Sequence, residues 1–115
     1  MANPTSGDKN RSRSDGSSLY LVVVGPYGNA RHQLPARGTL TIGRRMEASV
    51  RLIDPLVAPH HALLQVDKDR VEIEDLGSSN GTILRGSCLK VGARAQWQPG
   101  ETVTIGSTLL FLEWQ

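Results

Sequence analysis

Residues 71–84 read Val71-Glu72-Ile73-Glu74-Asp75-Leu76-Gly77-Ser78-Ser79-Asn80-Gly81-Thr82-Ile83-Leu84, and the pattern of this stretch points to the fold class. Val71 and Ile73 alternate with Glu72 and Glu74, the period of two expected of a strand with one buried face. Asp75–Thr82 is then a dense run of small and polar turn formers, in which Gly77 and Gly81 can take positive φ. Ile83-Leu84 resumes an apolar segment. A loop this polar, closed by glycine on both sides, can present several hydrogen-bond donors to an anion.

The same pattern of strand and turn runs outward in both directions. Upstream, Leu19–Val24 is β-rich and is closed by the turn cluster Gly25-Pro26-Tyr27-Gly28-Asn29. Arg31–Leu34 and Thr39–Ile42 read as short strands separated by Pro35 and Gly38, followed by Val50–Ile53 and His61–Val66. Asp67-Lys68-Asp69-Arg70 is a tight polar connection into Val71–Asp75. Downstream, Cys88–Val91, Ala95–Trp97, Thr102–Ile105 and Thr108–Trp114 follow, punctuated by Gly86, Gly92, Pro99-Gly100 and Gly106-Ser107. No long window supports an amphipathic helix. About ten to eleven short strands with Gly/Pro turns throughout predict an all-β sandwich or barrel.

The bulk properties set the outer limits. A length of 115 residues fits one domain, and 38% apolar with 21% charged residues is ordinary for a globular chain. No apolar run approaches a membrane span and no hydrophobic segment follows Met1, so a cytoplasmic protein is expected, with no membrane partner. The single cysteine, Cys88, excludes an internal disulfide and any multi-cysteine metal site, and is expected to be a small buried or half-buried residue. Thirteen basic residues against eleven acidic ones give a net charge of +2, which is not a nucleic-acid footprint but is compatible with a local anion site. Residues 1–18 are almost devoid of apolar side chains and are expected to form a disordered tail, despite Lys9, Arg11 and Arg13. The domain is expected to occupy 19–115.

Three segments carry a resemblance. Ile42-Gly43-Arg44, Asp54–Ala62 (which contains Ala58-Pro59-His60-His61) and Ser78-Ser79-Asn80-Gly81-Thr82 are similar, in order and spacing, to the motif blocks of the forkhead-associated (FHA) domain, a phosphothreonine-recognition module. The resemblance covers roughly residues 19–115 and implies an FHA-like β-sandwich of mostly antiparallel strands with the binding loops at one end. It implies phosphate contact by Arg44, whose planar paired donors match a dianion better than an ammonium does. Ser79 is expected to donate its hydroxyl to the phosphate, and Asn80 to bridge the backbone of an extended peptide. His61 is expected to buttress the loops from inside, while His60, one residue earlier on the strand start, is expected to face the other way and is a candidate to contact the ligand. Gly43 and Gly81 serve backbone geometry, and Ser78 and Thr82 support the loop.

The chain also departs from the family pattern. Ala58 stands where a phosphate-contacting Ser is usual, Pro59 replaces the usual Arg, and Arg85-Gly86 stands where Asn-Gly is common. The missing hydroxyl removes a hydrogen bond to a charged group, and Arg45, Arg51 and Arg85 are candidates for compensating positive charge.

The resemblance implies a non-enzymatic module, without cofactor, whose partner is a phosphothreonine-bearing protein: a Ser/Thr kinase or its substrates. Selectivity in the family is often set three residues after the phosphothreonine. A degenerate scaffold that binds proteins without phosphate is the second reading, favoured by Ala58. A hydrolase built from Ser78 or Ser79, His60 or His61 and Asp75 lacks the strand–elbow–helix context it would need. A metal site from His32, His60 and His61 is disfavoured because adjacent strand residues point to opposite faces. In the tail, Thr5 is followed three residues later by Asp8, the spacing of a phosphothreonine-x-x-Asp ligand for the protein's own site.

Overall fold

The computed structural model describes residues 17–115; Thr5, Asp8 and the three basic residues of the tail lie outside them. Eleven strands follow one another: β1 (Leu19–Gly25), β2 (Gly28–Gln33), β3 (Arg37–Gly43), β4 (Val50–Arg51), β5 (Ala62–Asp67), β6 (Arg70–Asp75), β7 (Thr82–Leu84), β8 (Ser87–Cys88), β9 (Arg94–Trp97), β10 (Val103–Ile105) and β11 (Thr108–Trp114). They form a six-stranded sheet in the order β2-β1-β11-β10-β7-β8 and a five-stranded sheet in the order β4-β3-β5-β6-β9. Strand pairing is antiparallel except between β3 and β4, as the sandwich reading requires. No described helix is long and apolar enough to cross a membrane.

Period-two alternation decides which side chains meet between the sheets. Leu19, Leu21 and Val23 of β1, with Leu110 and Leu112 of β11, face Ile42, Leu64, Val66, Val71 and Ile73 of the other sheet, and all are buried. Trp97 closes this core at 1% exposure and donates its indole N–H to the Glu101 carbonyl at 2.8 Å. Ser18 and Gln115 exchange both backbone hydrogen bonds, so pairing continues one residue before β1.

Register sets which loops converge. Ile42 pairs with Ala62, Ala62 with Asp75, Thr82 with Ile105 and Ile105 with Thr108. The loops after β3, β4, β6, β8 and β10, together with the β1–β2 hairpin, therefore gather at one end. The β7–β8 turn lies at the other.

Several expectations are corrected in detail. The β1–β2 turn is the two residues Pro26-Tyr27, so β2 begins at Gly28 and not at Arg31. The expected strand Cys88–Val91 shrinks to Ser87-Cys88, because residues 89–92 leave the sheet edge: Leu89 N–H reaches the Thr82 carbonyl, and Gly92 N–H the Asp75 carbonyl. Cys88 itself is exposed, contrary to the burial expected of it, because β8 is a two-residue edge strand with both side chains in solvent.

Candidate functional site

The loop end is organised by two buried acids and one buried histidine. Asp75, at 1% exposure, closes β6 and accepts hydrogen bonds from Gly77 N–H (2.9 Å), Ser78 N–H (3.1 Å), the Ser78 hydroxyl (2.6 Å) and the Thr82 hydroxyl (2.7 Å). Ser78 Oγ in turn accepts from Gly81 N–H at 2.9 Å. The whole turn from 77 to 82 is thus wound around one carboxylate.

His61 is fully buried and joins this turn to the β4–β5 loop. Its Nδ1 accepts from Ala58 N–H at 3.0 Å, so the ring proton sits on Nε2, which donates to the Gly81 carbonyl at 2.8 Å. Asp75 Oδ1 lies 3.9 Å from Nε2, beyond hydrogen-bond distance. Asp54 performs the same service for the β4–β5 loop. It accepts from Leu56 N–H (2.9 Å), from Ser107 N–H (2.6 Å) and from the Thr108 hydroxyl (3.1 Å), tying the loop to the β10–β11 turn.

Burial pushes the Asp75 carboxyl up, but the Ser78 and Thr82 hydroxyls and the Gly77 and Ser78 amides outweigh it and hold the acid below its ordinary 3.8. Burial likewise opposes, and the Leu56, Ser107 and Thr108 donors prevail, at Asp54. Both acids therefore bind fewer protons folded than unfolded. Their contribution to stability is complete above about pH 4 and is lost as the pH falls through the lower folded values. Thermal unfolding followed by circular dichroism from pH 7 to pH 2 should show the melting temperature falling below about pH 4. Asp75→Asn and Asp54→Asn should each lower it at pH 7 and flatten that slope.

Onto this frame the chain places Arg44, Ser79 and Asn80. Arg44 is exposed; its backbone N–H donates to the Ala58 carbonyl at 3.0 Å and its Nε to the Val57 carbonyl at 2.9 Å. Its two terminal nitrogens have no partner among the described residues. Asn80 Nδ2 donates to the Leu56 carbonyl at 2.8 Å, clasping the β4–β5 loop from the other side. The Ser79 hydroxyl, also exposed, makes no internal bond among the described residues. Arg44, Ser79 and Asn80 line one groove with Pro55, Leu56, Val57, Ala58 and Pro59. One guanidinium fork, one hydroxyl and one amide thus line one groove, an arrangement suited to a small anion on an extended chain.

Gly43 allows the loops to come this close. A Cβ there would collide with the Pro59 carbonyl oxygen and would lie 2.8 Å from its carbon. Gly81, at φ +83°, faces Cys88 Sγ, which would lie 2.6 Å from an added Cβ.

Not every expected residue reaches the groove. His60 and Arg45 bond each other at 2.7 Å, with Arg45 Nε on Glu47 at 3.0 Å, and they line a neighbouring depression. Arg51 donates to the Arg44 carbonyl at 3.0 Å. Arg85 is placed at the opposite end of the sandwich. It forms the β7–β8 turn with Gly86, both at positive φ, and its Nη1 contacts both Glu101 oxygens at 2.9 Å. It is a turn and ion-pair residue outside the groove, not a source of compensating charge there. Among the described residues no group of three or more His, Cys, Asp or Glu is placed to hold a metal ion.

Comparison with known proteins agrees with this geometry. Residues 40–106 match the FHA domain family. The oxoglutarate dehydrogenase inhibitor of Corynebacterium glutamicum is 35% identical over 99 residues, covering 84% of this chain and 66% of the relative. The chain spans about half to two thirds of the length of the curated relatives it matches. Among solved structures, the FHA domain of the CT664 protein from Chlamydia trachomatis superposes with a TM-score of 0.76 at 29% identity, covering 83% of this chain and 95% of that one. An FHA domain from a structural and functional analysis of phosphothreonine-dependent interactions gives 0.73 at 25% identity, covering 84% and 95%.

Proposed function

The chain belongs to the FHA domain family, and from that premise we propose that it is a non-catalytic module binding phosphothreonine-bearing segments of partner proteins in Ser/Thr-kinase signalling, in a cytoplasmic setting. The observation that carries this reading is the convergence of Arg44, Ser79 and Asn80 on one groove. There the Arg44 terminal nitrogens and the Ser79 hydroxyl are uncommitted among the described residues. A phosphothreonine dianion brings about −1.5 to −2 charges and three acceptor oxygens, which the guanidinium fork and the hydroxyl would share. Asn80, whose Nδ2 already holds the Leu56 carbonyl, has its carbonyl oxygen left to accept from a peptide N–H.

Calorimetric titration with a phosphothreonine-x-x-Asp peptide tests the reading. Binding that disappears with the unphosphorylated peptide supports it; equal binding of the two forms rejects it. One feature favours a second reading, a scaffold that binds proteins without phosphate: Ala58 presents a methyl group on the groove wall where a hydroxyl would bond the anion. Restoring that hydroxyl separates the two. A hydrogen bond to a charged group contributes roughly 1.5–3 kcal/mol, so Ala58→Ser should raise affinity for the phosphorylated peptide about ten- to a hundredfold. The unphosphorylated peptide should be unaffected. A phosphate-independent scaffold would show no gain.

A further inference from the structure

We propose that β2 is a docking edge at which two copies of this chain join, strand to strand and antiparallel, about a two-fold axis through Ala30; the inference goes beyond the phosphopeptide reading and does not depend on it. Each sheet has two edge strands. β8 and β4 have two residues each and β9 has four, whereas β2 runs for six, Gly28–Gln33. It contains no proline, and it pairs with β1 residue for residue from Tyr20↔Gln33 to Gly25↔Gly28, without a bulge. Edges of that length are ordinarily blunted by a charge, a proline, a bulge or a covering segment. The arginine of β2 is turned away from the open side. Arg31 lies 4.1 Å over the Tyr20 ring and donates to Glu113 at 3.3 Å and to Gln115, reaching back across β1 towards β11.

Hydrogen-bond parity fixes which backbone groups are open. Leu34 N–H donates to the Leu19 carbonyl at 2.8 Å, and Ser18 exchanges both bonds with Gln115 on the other side of β1. Bonded and non-bonded pairs alternate along an antiparallel ladder. The backbone of Gly28, Ala30 and His32 is therefore spent on β1, and that of Asn29, Arg31 and Gln33 points outward. Among the described residues nothing bonds these outward N–H and C=O groups.

The edge is self-complementary. With the axis through Ala30, Asn29 of each copy exchanges both backbone bonds with Arg31 of the other, and each guanidinium-bearing residue stands opposite an amide. An axis through Arg31 would set the two arginines directly opposite each other, which is unfavourable. Ala30 shares the inner face of the sheet with its register partner Val23. There it borders an apolar cleft lined by the buried Val23 and Leu52 and by Tyr27 and Ile53, at 49% and 54% exposure. A second strand beside β2 covers the mouth of this cleft and removes its apolar surface from water. The pairing satisfies both edges at once and closes on itself, as a two-fold contact must. A footprint one strand long, about 20 Å, and one sandwich thick, about 10 Å between sheets, is small. It falls short of the roughly 800 Å² per partner of a stable interface, so the dimer is weak. None of Arg44, Ser79 and Asn80 lies in the paired segment, so each copy keeps its groove.

Sedimentation equilibrium of the full chain from about 10 μM to about 1 mM tests the inference, a range that reaches millimolar dissociation constants. The parent should pass from monomer to dimer. Ala30→Lys sets two like charges against each other on the axis, and Arg31→Pro removes an outward N–H while sparing every β1–β2 bond. Both should stay monomeric and keep the parent's circular dichroism spectrum. Register is read by cysteine cross-linking in a Cys88→Ser background. The two Ala30 positions form a non-hydrogen-bonded pair with Cα atoms about 4.5 Å apart, within disulfide reach. The two His32 positions lie about 14 Å apart, four residues of strand rise. Ala30→Cys should therefore oxidise to a disulfide dimer at least tenfold faster than His32→Cys. A parent monomeric throughout the range, a dimer indifferent to Ala30→Lys and Arg31→Pro, or equal cross-linking from positions 30 and 32 overturns the inference.

Discussion

Replacing Arg44 with alanine is expected to weaken binding of a phosphothreonine peptide by a hundredfold or more and to leave the fold almost untouched. The side chain is exposed and makes one internal hydrogen bond, from Nε to the Val57 carbonyl. Losing that bond costs about 1 kcal/mol of stability. The loss in binding is larger because two terminal nitrogens would face a dianion, and each charge-assisted hydrogen bond is worth roughly 1.5–3 kcal/mol. Two such bonds correspond to a factor of about a hundred or more. Arg44→Lys separates charge from geometry. A lysine keeps the positive charge but gives up both the paired donors and the Nε anchor, so it should recover only part of the affinity. Titration of the three proteins with phosphorylated and unphosphorylated peptide reads this directly. An Arg44→Ala protein that binds as tightly as the parent would move the site away from the groove.

How far the sequence alone foretells this site depends on the range of each interaction. The strands were legible because alternation is local: Val71/Ile73 and Leu110/Leu112 mark the buried face within a few residues. The Asp75 turn also carried a local signal. An aspartate whose carboxylate holds the amides two and three residues on is a recurrent turn device, and Asp75 opens the run of turn formers. Asp54 shows where locality ends. Its bond to Leu56 N–H was readable, whereas its bonds to Ser107 and Thr108 span more than fifty residues and appear only once β10 and β11 are folded back. The place of Arg85, a candidate for compensating charge, is likewise set by the fold: three residues of extended β7 carry it to the far end, where Glu101 meets it.

Gly43 is where fold and site depend on the same atom, and Gly43→Ala should therefore damage both. The backbone at this position is not in the left-handed region, so the constraint is space. An added Cβ would overlap the Pro59 carbonyl oxygen, lie 2.8 Å from the carbonyl carbon and 3.2 Å from the Ala58 oxygen. These are backbone atoms, and they cannot swing aside as a side chain would. Ala58 is held by Arg44 N–H on its carbonyl and by His61 Nδ1 on its amide, and the next residues are fixed by His61 N–H on the Ile42 carbonyl. Relief requires the β4–β5 loop to move as a unit, stretching bonds that place Arg44 and, through Leu56, Asn80. Overpacking of this kind costs about 3 kcal/mol, which for a domain of this size is a fall in melting temperature of roughly 12–24 °C. Phosphopeptide affinity measured below the new melting temperature should also drop, because the surviving folded molecules carry a displaced loop. Gly81→Ala provides the contrast. Its Cβ would meet the Cys88 sulfur, a side-chain atom on an edge strand that can rotate away, and the remaining strain is the positive φ alone. The pair should therefore differ: Gly43→Ala loses more stability and more affinity, and adding Cys88→Ala should rescue part of the Gly81→Ala defect and none of the Gly43→Ala defect.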